Sequence, residues 1–203
     1  MIPEISQLAA ESGTQLAARF WGWDVALEMF LAGTAGALML LALFRRSKHD
    51  AQIRRVALAC LAAAGALLWF DLGAKDRIFR FYLSWQPASV MFWGSWIFGL
   101  AGIAAAWSAF RPPAAALRIA SGVLGAGLMI YPGLLLSSMT ARAAWSGAGV
   151  PVLFAALSLS SGVAALCLIE TSARRYRWWV PATAACVLAS AFLARAAVLF
   201  AGQ

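Results

Sequence analysis

Residues 21–44 read WGWDVALEMFLAGTAGALMLLALF, with Asp24 and Glu28 near the start and no charge from Met29 to Phe44. At 1.5 Å of rise per residue a helix of this length reaches about 36 Å, enough to cross a hydrocarbon core of roughly 30 Å. Comparable apolar stretches recur at about 56–72, 89–110, 115–137, 148–170 and 179–200. Composition agrees, with 63% hydrophobic and 12% charged residues, about half the charge of a soluble domain. The expected fold is an all-α integral membrane protein of about six transmembrane helices. It divides into an N-terminal interfacial arm, 1–20, and a transmembrane helical domain, 21–203. Six spans leave only short loops, so any chemistry belongs to the membrane bundle.

The arm (MIPEISQLAAESGTQLAARF) lacks a basic start and carries Glu4, Glu11 and Arg19. A cleavable signal would have an apolar core there, so the arm reads as an amphipathic segment at the interface. Ten lysines and arginines fall on one side of the spans: Arg45, Arg46, Lys48, Arg54, Arg55, Arg111, Arg118, Arg174, Arg175 and Arg177. Six fall elsewhere: Arg19, Lys75, Arg77, Arg80, Arg142 and Arg195, the last inside the sixth span. Loops rich in lysine and arginine stay cytoplasmic. The expectation is a multi-pass protein of the cytoplasmic (inner) membrane whose termini and 73–88 loop face outward. The formal charge of +8 is accounted for by helix ends facing anionic membrane lipids and implies no nucleic acid.

Several chemistries are set aside by what the chain lacks. Its one histidine, His49, lies in a basic loop, so bis-histidine haem ligation inside the bundle is excluded. Cys60, Cys167 and Cys186 are scattered without CxxC spacing and suggest packing rather than disulfides or an iron-sulfur cluster. No metal site is expected from the few remaining acids. Prolines at 87, 112, 113, 151 and 181 punctuate the spans. Gly33, Gly36, Gly122, Gly125, Gly127, Ser158, Ser160, Ser161 and Gly162 are the small residues that let helices approach closely.

Polar residues inside or beside the spans carry the functional question. Asp24 and Glu28, one turn apart, share a helix face near the outer surface. Two readings stand: carboxylates solvated at the headgroup level beside the positive helix end, or a proton-accepting pair lining a ligand cavity. The segment Asp71-Leu72-Gly73-Ala74-Lys75-Asp76-Arg77, followed by Arg80 and the aromatics Phe79, Phe81, Tyr82 and Trp85, is either a solvated loop with an aromatic belt or a docking surface for a soluble partner. In the fourth span Tyr131 precedes Pro132 and Gly133. A proline inside a helix frees a backbone carbonyl and kinks the chain, a plausible pocket wall beside a phenol.

Taken in order, Trp21-Gly22-Trp23-Asp24, Phe30-Leu31-Ala32-Gly33, Asp71-Leu72-Gly73 with Arg77, Ser89-Val90-Met91-Phe92-Trp93-Gly94-Ser95-Trp96, Tyr131-Pro132-Gly133-Leu134-Leu135-Leu136, Trp145, Pro151-Val152-Leu153-Phe154 and Ser161-Gly162 resemble the NrfD/PsrC family of polysulfide-reductase-type membrane subunits. The resemblance covers roughly residues 21 to 165. It implies a haem-free, quinone-binding membrane anchor with no iron-sulfur cluster of its own. Such a subunit exchanges electrons between menaquinone or ubiquinone and a ferredoxin-like iron-sulfur subunit, which usually works with a molybdopterin catalytic subunit. It implies that Tyr131 donates a hydrogen bond to a quinone carbonyl, whereas Asp24 and Glu28 are more acidic than the family pattern at their positions and stand as proton-exchange candidates on their own chemistry. It also implies that the loop from Asp71 to Gly73 lies near the partner, and the crowding of Asp71, Lys75, Asp76, Arg77 and Arg80 in one short segment makes them the docking candidates. Members of the family commonly have eight or more helices in two four-helix bundles. Here the first bundle reads as complete and the second as truncated, which a second membrane chain would make good. The alternatives are a passive anchor without quinone binding and a small transporter, though no internal repeat supports the latter.

Overall fold

The computed structural model describes residues 22–45, 48–71, 80–83, 85–139, 145, 147–172 and 179–201, with the backbone alone for Arg80, Phe81, Ser172 and Trp179. Six long helices carry the fold: α1 Trp23–Phe44, α2 Asp50–Asp71, α4 Val90–Phe110, α5 Ala115–Ser137, α6 Gly149–Ser172 and α7 Trp179–Ala201. The four-residue α3, Arg80–Leu83, precedes α4. All six long helices are long and apolar enough to cross a membrane. The interfacial arm lies outside the described residues.

Five helices match the expected spans within a residue or two, and α2 begins six residues before the expected position 56. The charges of Asp50, Arg54 and Arg55 mark that stretch as loop by hydropathy, yet nothing in it opposes helix formation. Asp50 sits in the first turn, where the helix dipole favours an acid, and Arg54 reaches across to α4. The helix therefore extends beyond its apolar part. At the end of α4 the chain turns extended at Arg111, and Pro112-Pro113 cannot supply the N–H groups that continuation requires.

The chain direction gives the bundle two distinct ends. The starts of α1 and α4 and the ends of α2 and α5 form an acidic end, with Asp24, Glu28 and Asp71. The opposite, basic end carries Arg45, Arg54, Arg55, Arg111 and Arg118.

Helix α1 is the central element: it packs against α2, α5, α6 and α7 and buries a continuous run from Ala32 to Met39. Contacts α1–α2, α2–α4, α4–α5 and α5–α1 close a four-helix ring. Its core includes Leu38 and Met39 of α1, Ile53 and Leu61 of α2, Ala101 and Ala105 of α4, and Leu128 of α5. Helices α6 and α7 pack on the outside of that ring rather than forming a second one. Ala26, Met29, Leu136, Phe154, Ala196 and Leu199 meet there around Trp145, which is fully buried and donates its indole N–H to the Val198 carbonyl at 2.8 Å.

In a bilayer, close helix contact is held by dispersion and hydrogen bonds rather than by expulsion of water, and the glycines serve it. Gly36 of α1 and Gly125 of α5 cross so tightly that a Cβ on either would strike the other's carbonyl oxygen. Because backbone is the obstacle, a side chain at either position costs about 1–3 kcal/mol in overpacking. Gly162 of α6 abuts Ala37 of α1, where an added Cβ would strike the Ala37 methyl group. Between these helices the Thr34 hydroxyl lies 2.9 Å from Ser161 Oγ in a buried hydrogen bond.

The residue least suited to its surroundings is Arg195 of α7, 1% exposed. Its Nη2 donates to Ser158 Oγ at 2.8 Å and its Nη1 to the Ala191 carbonyl at 3.2 Å. The guanidinium lies over the Phe30 ring, 5.5 Å from its centroid, and Nε has no partner among the described residues. Gly33 makes the room: a Cβ there would collide with Ser158 Oγ and come within 3.0 Å of Nη2. Arg195 thus ties α7 to α6 against α1.

Candidate functional site

Asp24 lies in the first turn of α1 and is exposed. Its carboxylate folds back over Gly22, occupying the space where a Cβ at that position would project, beside the unpaired N–H groups of the helix start. Glu28 is one turn deeper and half-buried. It lies within electrostatic reach of Asp71, the last residue of α2, and Asp71 is within reach of Asp24. The Tyr131 hydroxyl sits in the field of Glu28.

The depths agree. Glu28 stands about 7 Å along α1 from Trp23, Gly94 about 6 Å along α4 from Val90, and Tyr131 about 9 Å back along α5 from Ser137. Three carboxylates from α1 and α2 and a phenol from α5 therefore gather at the acidic end of the ring. No described lysine or arginine forms an ion pair with any of the three acids. Among the described residues, the Glu28 carboxylate and the Tyr131 hydroxyl have no hydrogen-bond partner. Both are available to a ligand.

Tyr131 is positioned by a glycine. The ring rests directly on Gly94 of α4, and a Cβ there would overlap Cε2 and Cζ. On the next residue of α5, Pro132 offers no N–H to the Leu128 carbonyl. Gly133 then brings α5 against the Pro151 backbone of α6, where a Cβ would come within 2.5 Å of Pro151 Cα.

Aromatic side chains line this end of α4. Phe92 is buried and meets Trp85, Trp93 and Trp96 at centroid distances of 5.6, 5.5 and 6.5 Å. The Trp93 indole N–H is fixed on the Pro87 carbonyl at 2.9 Å. Tyr82 of α3 packs edge-on against Trp96 at 5.8 Å and sits over Gly99. Flat apolar rings with a phenol and carboxylates nearby suit a planar, carbonyl-bearing, lipid-soluble ligand.

The structure thus brings Asp24, Glu28 and Tyr131 to one end of the ring and adds Asp71, which sequence proximity had grouped with the docking loop. Lys75, Asp76 and Arg77 lie outside the described residues, and Arg80 is described by its backbone alone. Gly94 is the positioning residue that the sequence reading passed over. Its signal was a glycine in the middle of the bulky run Phe92-Trp93-Gly94-Ser95-Trp96.

Comparison with known proteins gives one family: the NrfD-type model described as polysulfide reductase matches residues 8–200. No curated protein matches the chain.

Proposed function

Because the chain belongs to the NrfD-type polysulfide reductase family, we propose that it is the quinone-reactive membrane subunit of a multisubunit oxidoreductase, with its quinone held at the acidic end of the four-helix ring. The observation that carries this reading is the placing of Glu28 within electrostatic reach of both Asp71 and Tyr131, at the end of the ring that the aromatics of α4 line. Quinone turnover moves two electrons and two protons, so a proton-exchanging group must lie within hydrogen-bond reach of the ring oxygens, directly or through one water.

Tyr131 donates its hydroxyl proton in a hydrogen bond to one quinone carbonyl. Glu28, deeper than Asp24, passes protons between the quinone and the aqueous phase, with Asp71 and Asp24 on the way to the surface. Electrons come from, or go to, an iron-sulfur subunit docked at the same end, around Asp71 and the segment Lys75, Asp76, Arg77 and Arg80. A molybdopterin catalytic subunit lies beyond that partner. Under the basic asymmetry of the loops this end faces outward from the cytoplasmic membrane.

The exposed position of Asp24 over the start of α1 favours an interfacial role for that residue and leaves Glu28 as the working acid. The experiment is quinone turnover by the assembled complex carrying Tyr131→Phe or Glu28→Gln, with the partner's activity toward a soluble artificial electron carrier as control. Slower quinone turnover with an intact control supports the reading. Parental turnover in both variants makes the chain a passive anchor.

A further inference from the structure

At the basic end of the same ring, away from the proposed quinone site, a cavity of about 130 Å³ opens between α1, α2, α4 and α5. Its polar lining is Asp50 and Arg54 of α2, Ser108 of α4, and Arg118 and Ser121 of α5, above an apolar floor that includes Leu38 and Ala57.

Both arginines are held in place by helix ends. Arg54 Nε donates to the Ser108 carbonyl at 2.6 Å, and Arg118 Nη2 donates to the Ala42 carbonyl at 2.8 Å. Each bond satisfies a carbonyl in the last turn of a helix that has no intrahelical donor. A guanidinium carries five N–H groups in a rigid fork, so donors remain on both after these contacts. Asp50 is the one carboxylate in the lining, and it has an interaction of its own.

The two serines are the second observation. Ser108 and Ser121 are 4% and 9% exposed, and among the described residues neither hydroxyl has a partner. Buried hydroxyls are normally paired. Elsewhere in this protein Ser95, Ser137, Ser158, Ser160, Ser161 and Ser190 each donate to a carbonyl three or four residues back in their own helix. Ser108 and Ser121 make no such bond, although both lie in helices with those carbonyls at hand.

Two anchored guanidinium groups in the lining, with two unpartnered hydroxyls buried beside the cavity that a change of side-chain rotamer turns inward, make a donor-rich site suited to a tetrahedral oxyanion. The volume is several times the roughly 10–15 Å³ that a single water needs by this measure, and it accepts a cluster of waters or the five heavy atoms of a phosphate group. The floor is apolar, and exposed Trp107, Phe110 and Ile119 flank the lining residues on α4 and α5, a surface for acyl chains. We propose that this cavity binds a phosphate oxyanion, and that its source is the headgroup of an anionic phospholipid whose chains lie along that apolar surface.

The test uses the full chain in nanodiscs of phosphatidylcholine with or without phosphatidylglycerol of the same acyl composition, and inorganic phosphate as a separate addition. Thermal unfolding and retention of phosphatidylglycerol by native mass spectrometry are read. Wild type is expected to melt higher with phosphatidylglycerol and to retain it over phosphatidylcholine by roughly tenfold or more. Arg118→Gln removes a helix-end contact as well as a ligand donor, so Ser121→Ala is the decisive variant. It deletes only an unpaired hydroxyl, and is expected to melt at or above wild type in phosphatidylcholine but to lose most of the phosphatidylglycerol shift. Equal retention of the two lipids overturns the proposal. So does a phosphatidylglycerol shift that survives Ser108→Ala and Ser121→Ala together, which would mean that the cavity holds only water. The same protection from inorganic phosphate alone would overturn the lipid as the source.

Discussion

Gly94→Ala adds one methyl group, yet it addresses the proposed quinone site more selectively than removing any functional group there. The new Cβ would overlap Cε2 and Cζ of Tyr131 and come within 2.5 Å of its hydroxyl oxygen, whereas ordinary van der Waals contact begins near 3.4 Å. Gly94 is buried in α4 and Pro132 is buried beside Tyr131, so helix movement is the costly response and the ring gives way. Its hydroxyl then shifts by on the order of 1 Å, a misplacement that can lower a rate about 100-fold when orientation matters. Overpacking costs about 1–3 kcal/mol of stability, which a protein held in an assembled complex tolerates. The assay measures quinone turnover by the purified complex, beside activity with a soluble electron carrier that bypasses the membrane. Quinone turnover is expected to fall roughly 10- to 100-fold with the second activity unchanged. Parental quinone turnover in a fully assembled Gly94→Ala complex would refute a precisely placed Tyr131 hydroxyl.

Other outcomes follow from the same geometry. Glu28→Gln is expected to slow quinone turnover more than Asp24→Asn, because Glu28 is deeper and shares a field with Tyr131 and Asp71; equal effects in steady-state assays would remove that distinction. Ser158→Ala leaves Arg195 Nη2 without its acceptor and is expected to lower stability by about 1–3 kcal/mol. Arg195→Met, by contrast, removes a buried charge that has no carboxylate in ion-pairing range among the described residues and is expected to be neutral or stabilising. Melting temperatures in detergent decide both, and a neutral Ser158→Ala would contradict the tie between α6 and α7. Reporter fusions at Gln203 are expected to report an outward-facing C-terminus; a cytoplasmic signal would reverse the side proposed for the partner.

The spans were readable because membrane helices obey a length rule and proline marks their ends: α5 begins just past Pro112-Pro113, and its expected bounds match the structure. Where charge and helix coincide, hydropathy alone fails, as in the opening turns of α2. The ring itself was expected only through the family resemblance, since apolar helices carry little sequence information about which faces touch. That limit also explains the site. Asp24 and Glu28 share one helix, so their common face follows from helical spacing, whereas Gly94 meets Tyr131 from another helix and Asp71 joins Glu28 through the packing of α2 on α1. Arg195 stood out as a charge within a span, but its burial depended on Gly33 and Ser158, both of which read as ordinary small packing residues. Ser108 and Ser121 differ from the self-paired helix serines described above in their missing partners, a property visible in three dimensions alone.

The central claim is that quinone occupies the acidic end of the ring, and photoaffinity labelling of the intact complex with a light-activated quinone analogue tests it most directly. Peptide mapping should place the label near residues 24–31 of α1, 91–98 of α4 or 128–135 of α5, with labelling reduced by excess quinone and by Tyr131→Phe. Label confined to α6 and α7, or competed by quinone but unaffected by both Tyr131→Phe and Gly94→Ala, would contradict it.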